Sequence, residues 1–250
     1  IEGLGIEYLC TPFSSKAAHL LGEMNVNAFK IGSGECNNFA VLEAASIYNK
    51  PMIISTGMNT LHSCQETYDY VKNKIGNNII LMHTTNLYPT PFHLVRLGGI
   101  TELSNISGEY IGLSDHTINN LASLGAIAMG AVLIERHFTD TKDREGPDIV
   151  NSMTPSELKV LKESSILMFK MRGGSKQNKI PEEDGVRDFA FATIVATKNI
   201  NKGEYFSKSN TWPKRPGVGE IPAYNHDLII GKRARKNIKG DTHISLEDID

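Results

Sequence analysis

One pattern recurs along the first two-thirds of the chain. A short aliphatic run leads into polar or glycine-rich residues, and a helix-like stretch follows. The runs with their loops are "IEYLCTPFSS", "AFKIGSGECNN", "PMIISTGMNT", "IILMHTTNLYPT", "YIGLSDHT" and "VLIERHFTD". Between them, "FAVLEAASIYN", "CQETYDYVKNKIG" and "NLASLGAIAMG" read as helices. Strands that alternate with helices build parallel sheets, because a parallel pair needs a long crossover. The runs are nearly continuous in apolar residues, as strands are when both faces of a sheet are covered. The chain is therefore expected to be α/β.

The polar residues choose among α/β folds. Five runs lead into hydroxyl, amide, carboxylate or imidazole groups: Thr11 and Ser14; Ser33, Glu35 and Asn37; Ser55, Thr56 and Asn59; Thr84 and Asn86; Ser114, Asp115 and His116. The sixth carries Glu135 and leads into Arg136 and His137. A TIM (β/α)8 barrel collects its chemistry at the C-terminal ends of its strands. A Rossmann-type sheet does so too, but gathers a glycine-rich phosphate loop in one place. Polar strand ends spread over all the runs favour the barrel. Six units fall short of eight, so the reading expects the barrel to lack roughly its first two βα units, about 60–100 residues. The first residue, Ile1, agrees with that expectation.

"TPSELKVLKESSILMFKMRGG" reads as a long helix starting near Thr154 or Ser156 and stopped by Gly173. Residues 173–187 read as a polar linker between a barrel part, 1–172, and a small β-rich module, 188–250. The module carries a faint repeat, "KNINKGEYFS" against "KNIKGDTHIS", each read as strand, Lys-Gly turn, strand. It is mildly basic, and the barrel part is acidic.

Composition removes several classes of function. The net charge of −2 leaves no electrostatic footprint for nucleic acid or an anionic membrane. No apolar run is long enough to cross a bilayer. Three cysteines, Cys10, Cys36 and Cys64, read as reduced thiols of a cytoplasmic protein rather than a disulfide framework.

Each candidate residue has two readings. His116 and His137 end successive strands, where two imidazoles with water and substrate oxygens can hold a divalent ion such as manganese; equally, each can be a hydrogen-bonded strand cap. Lys30 and the glycines of "KIGSGE" can hold a phosphate or carboxylate, or form an ordinary βα turn. Ser55, Asn86 and Ser114 are neutral groups suited to an oxyanion, or helix caps. In "DREGPD", a carboxylate among Asp143, Glu145 and Asp148 can bind sugar hydroxyls or act as a base, or all can lie in a solvated loop with Arg144. Arg215 in "KRPGVGE" can donate to a carbonyl or carboxylate, or belong to a surface turn.

Taken together and in order, "KIGSGECNNF", "KPMIISTGMNT", "TNLYPTPFHLVRLGG", "IGLSDHT", "ERHFTDTKDREGPDIVNSM", "RDFAFATIVA" and "KRPGVGE" resemble the bacterial sialic acid synthase (N-acetylneuraminate synthase) family. The C-terminal module resembles that family's antifreeze-like (SAF) domain. The resemblance implies condensation of phosphoenolpyruvate with an N-acetylated amino sugar such as N-acetylmannosamine, with release of phosphate. It implies Mn2+ or Mg2+ on His116 and His137. It places Thr11, Lys30, Ser33, Ser55, Asn86 and Ser114 around phosphoenolpyruvate, and Glu35, Tyr88 and Asp148 around the sugar or the reacting centre. It also implies a domain-swapped homodimer in which Arg215 reaches the N-acetyl group.

The family's first two βα units supply a glutamate and a lysine, so the reading expects the 250-residue chain to be inactive or poorly stable alone. Alternatives are a legionaminic or pseudaminic acid synthase acting on a diacetamido-trideoxy hexose, and a truncated, non-catalytic carbohydrate-binding relative. A Schiff-base aldolase would have to use Lys30.

Overall fold

The computed structural model describes residues 2–108 and 110–250. The chain divides into two compact units, Ile1–Gly173 and Gly174–Asp250.

The first unit alternates helices and strands: α1 (Ser15–Glu23), β1 (Phe29–Ile31), α2 (Phe39–Ser46), β2 (Met52–Ser55), α3 (Leu61–Ile75), β3 (Ile79–Thr84), α4 (Gly98–Ser107), β4 (Ile111–Asp115), α5 (Leu121–Ala128), β5 (Leu133–Arg136) and α6 (Pro155–Met171). The strands form one parallel sheet in the order β1-β2-β3-β4-β5. Local chemistry sets the helix starts. Ser14, Asn38 and Thr60 each accept a hydrogen bond from a backbone N–H in the first turn of α1, α2 and α3. At α6, Thr154 and Glu157 form a reciprocal capping box.

Side chains alternate across each strand, so register sorts them into two faces. Phe29, Ile31, Met52, Ile54, Ile79, Leu81, Ile111 and Leu113 turn toward the helices and are fully buried with Val41, Leu42, Val71 and Ile100. Burying each such side chain contributes about 1.5–3 kcal/mol. The opposite face carries Lys30, Ile53, Ser55, Ile80, Met82, Ser114, Leu133 and Glu135.

That second face is concave. Four strand spacings separate β1 from β5, about 19 Å in a flat sheet. Yet Lys30 Nζ of β1 lies 3.3 Å from Glu135 Oε2 of β5. The sheet is a curled half-barrel, consistent with part of a TIM barrel. Its trough holds a cavity of about 650 Å3, lined by residues that include Thr11, Lys30, Ile53, Glu135 and Phe138.

One expected strand is absent. Residues 6–14 run without regular structure and are mostly exposed, so five strands stand where the sequence reading expects six. An aliphatic run becomes a strand only when a neighbour supplies the ladder, and among the described residues β1 pairs with β2 alone.

The second unit contains α7 (Asp184–Ala190), an antiparallel pair β6 (Thr193–Ala196) and β7 (Thr211–Lys214), and α8 (His226–Ile229). The repeated segments differ from the strand–turn–strand expectation. They meet through an isolated antiparallel bridge, Ile200 to Ile238, rather than through long strands. Both isoleucines belong to a core with Ile194, Phe206, Ile221 and Ile244. α7 begins inside the stretch read as linker.

Candidate active site

The trough floor is apolar and its rim is polar. At β1, Lys30 is buried, and its ammonium donates to Ser55 Oγ at 2.7 Å and to the Ile31 carbonyl at 3.1 Å. Burial pushes the Lys30 pKa down, and the carboxylate of Glu135 opposes that shift. An anion entering the trough would exchange with the Glu135 carboxylate, 3.3 Å from the ammonium, as its charged partner.

The loops after β1, β2 and β3 interlock beside it. Gly57 N–H donates to Ser33 Oγ at 3.0 Å, and Asn59 donates to the Ser33 carbonyl at 3.0 Å. Asn86 Oδ1 is buried with no hydrogen-bond partner. A Cβ on Gly57 would stand 1.8 Å from Asn86 Oδ1, so glycine is the residue that lets these loops close. Asn86 Oδ1 is thus a buried acceptor packed against Gly57 with no protein donor.

His116 and His137 continue the trough face beyond Ser114 and Glu135. Their ring centroids are 5.3 Å apart. The His116 Nδ1–H donates to the Thr85 carbonyl at 2.9 Å, which leaves Nε2 with a free lone pair. The Thr90 N–H donates to the His116 carbonyl at 2.9 Å, and buried Thr90 closes its own loop through the Thr85 and Leu87 carbonyls. Tyr88 lies against both rings, with centroids 4.2 Å from His116 and 5.7 Å from His137. Asp148 Oδ2 approaches His137 Nδ1 at 3.6 Å.

This donor set fits a divalent cation in part. Two imidazoles lie side by side in an edge-to-face arrangement, one with its tautomer fixed by a backbone carbonyl, as is usual for ligating histidines. Among the described residues, no group of three or more His, Cys, Asp or Glu is arranged around one point. The remaining ligands would be water and substrate oxygens.

The structure thus brings together Lys30, Ser55 and Glu135 in one group, Ser33 and Asn86 around Gly57 in a second, and Tyr88, His116, His137 and Asp148 in a third. Ser114 lies on the same face, and its register partners are Thr84 and Glu135. Thr11 lines the trough cavity. Glu35 is half-buried and accepts a hydrogen bond from Asn38. Arg215 is exposed in the second unit. The sequence reading omitted Glu135 from its site residues. Its signal was period two along "LIER", which puts Glu135 on the face of His137.

The site is a half-barrel of parallel strands with a buried lysine in its trough and a histidine pair at its rim. Residues 1–177 match the NeuB family and residues 191–250 match the SAF domain. The chain belongs to the NeuB family. It is 38% identical to an uncharacterised protein of Methanocaldococcus jannaschii, over 99% of this chain and 73% of that protein. It is also 38% identical to N,N'-diacetyllegionaminic acid synthase of Campylobacter jejuni, over 94% of this chain and 71% of that enzyme. The crystal structure of N-acetylneuraminic acid synthetase from Leptospira borgpetersenii, in complex with citrate, matches with a TM-score of 0.69 at 29% identity, over 74% of this chain and 65% of that one. No helix among the described residues is long and apolar enough to cross a membrane.

Proposed function

We propose that the protein is a phosphoenolpyruvate-dependent nonulosonic acid synthase, with N-acetylmannosamine as the sugar and N-acetylneuraminate as the product. The observation that carries the reading is the trough, with a buried lysine on β1 and an imidazole pair on the β4 and β5 ends, in a chain of this family.

The chemistry asks for this arrangement. Phosphoenolpyruvate carries up to three negative charges, which call for a fixed cation and many hydrogen-bond donors. Lys30, Ser55 and Ser114 line the half of the trough face that suits the carboxylate and phosphate. Thr11 and Ser33 add hydroxyls, and the Asn86 side-chain N–H group would donate to the phosphate. A divalent cation, Mn2+ or Mg2+, on His116 and His137 would supply Lewis-acid polarisation of the sugar aldehyde. Tyr88, packed on both rings, and Asp148, beside His137, orient the sugar. Glu35 is the second carboxylate at the reacting centre. Attack by the enol carbon on the aldehyde leaves a cationic C2. Water adds there, and C–O cleavage releases phosphate.

The reading includes a cytoplasmic homodimer in which Arg215 of a second copy meets the N-acetyl group. Sedimentation of the chain tests the dimer.

A second reading changes only the sugar. The Campylobacter relative favours a diacetamido-trideoxy hexose. Phosphate release from phosphoenolpyruvate, measured side by side with N-acetylmannosamine and the diacetamido sugar, separates the two. Release that depends on neither sugar contradicts both.

A further inference from the structure

Behind the histidine pair, on the helix side of the sheet, lies a buried ion pair. Asp115 and Arg136 are the residues immediately before His116 and His137, and they stand opposite each other in the β4–β5 register. Their side chains are 1% and 2% exposed, with Arg136 Nε 3.6 Å from Asp115 Oδ2. The Arg136 fork spans the strand end and the loop beyond it. Nη1 donates to Asn120 Oδ1 at 2.5 Å, and Nη2 donates to the Thr117 carbonyl at 2.6 Å. Asp115 in turn accepts from Thr117 N–H at 2.8 Å and from buried Ser123 Oγ of α5 at 2.6 Å.

We propose that Arg136 is a positioning residue: by its hydrogen bonds from the end of β5 to the loop after His116, with its charge held against Asp115, it fixes the spacing of His116 and His137. Side-chain alternation makes the link mechanical. When the backbones of residues 115 and 136 are locked on one face, the next residues are locked on the other. His116 is then held from two directions, by Arg136 through the Thr117 carbonyl and by the β3 loop through Thr85 and Thr90. A lysine would keep the charge beside Asp115 but lose the fork whose two Nη groups hold Asn120 and the Thr117 carbonyl together.

A buried ion pair serving stability alone is the competing account. The two accounts differ once both charges are removed. Leaving either charge alone in the interior is costly, whereas removing both together is often tolerated. The functional consequence rests on the proposed metal-dependent reaction, so the test has two arms.

In the first arm, Mn2+ binding to the full chain is followed by electron paramagnetic resonance alongside thermal unfolding. Arg136→Met should lower both. The double variant Asp115→Asn with Arg136→Met should recover much of the lost melting temperature, yet still bind Mn2+ at least about 10-fold more weakly, the usual cost of disturbing the partners of metal ligands. Arg136→Lys should weaken Mn2+ binding with little thermal effect. Mn2+ affinity that recovers together with stability overturns the proposal.

In the second arm, the imidazole resonances of His116 and His137 are followed by NMR in the metal-free chain. Both should shift in Arg136→Lys. Unshifted resonances overturn the positioning role even if Mn2+ is never taken up. A wild-type chain that binds no Mn2+ while its resonances respond rejects the metal reading and keeps the positioning one.

Discussion

Lys30 and Glu135 belong to the two outermost strands of the sheet, and their charged atoms lie 3.3 Å apart. The contact requires a strongly curled sheet and puts a cation at the middle of the trough. Lys30→Met should therefore abolish anion binding without unfolding the unit, because it removes a buried charge and leaves a half-exposed glutamate. Turnover should drop by about 100-fold or more, the scale of losing one fixed electrostatic contact to a transition state. Steady-state rates together with a melting curve check both halves of the expectation.

The same lysine sets an alkaline dependence. Burial holds its folded pKa below the ordinary 10.5. Between the two values the unfolded chain binds more protons, so stability rises with pH in the window just under 10.5. Below the folded value the penalty of the buried charge is fully present. Phosphoenolpyruvate affinity moves the other way and falls as Lys30 loses its proton. Lys30→Met should flatten the stability slope, measured by urea unfolding across that window. An unchanged slope would contradict the assignment.

Gly57→Ala tests the junction of the three loops. The new methyl would collide with Asn86 Oδ1 at 1.8 Å and meet Ser33 Oγ at 2.9 Å. Overpacking of this kind costs about 1–3 kcal/mol. The account expects a larger effect on function, with the Michaelis constant for phosphoenolpyruvate raised at least about tenfold. A variant that loses stability with unchanged kinetics would remove Ser33 and Asn86 from the site.

Tyr88 separates ring from hydroxyl. Its ring packs on His116 and His137. Tyr88→Phe should keep that packing and raise only the sugar's Michaelis constant. Tyr88→Ala should weaken Mn2+ binding as well. Titrations of sugar and Mn2+ on both variants distinguish the two contributions.

The capping box of α6 predicts an acid dependence. Glu157 accepts from Lys142 at 2.8 Å and from the Thr154 N–H at 2.8 Å, and these contacts hold its carboxyl below the ordinary 4.5. A depressed carboxyl stabilises the fold above its unfolded value, and that contribution is lost as pH falls through the lower, folded value. Thr154→Ala should cost about 1 kcal/mol at neutral pH. Glu157→Gln should remove the acid-dependent part, read by urea unfolding between neutral pH and pH values below 4.5.

Much of this arrangement was legible in the sequence. Apolar runs at β1 to β5 and hydroxyl, amide or imidazole groups at their ends announced a parallel sheet with a polar rim. "SDHT" and "ERHF" announced the histidine pair. Three things were not legible. Residues 6–14 look like a strand, but a strand exists only where a ladder partner exists, and local composition does not show one. The SAF repeat reads as hairpins but is joined by single bridges, since its short apolar pairs serve a compact core. The Asp115–Arg136 pair hides in the same tetrapeptides as the histidines, and only the β4–β5 register shows that the two residues meet.

The central claim is the reaction. Its most direct test is inorganic phosphate release from phosphoenolpyruvate with Mn2+ and either amino sugar. The expected result is sugar-dependent phosphate release by the protein, matched by a 2-keto acid product and abolished by Lys30→Met. No sugar-dependent release with either sugar would contradict it.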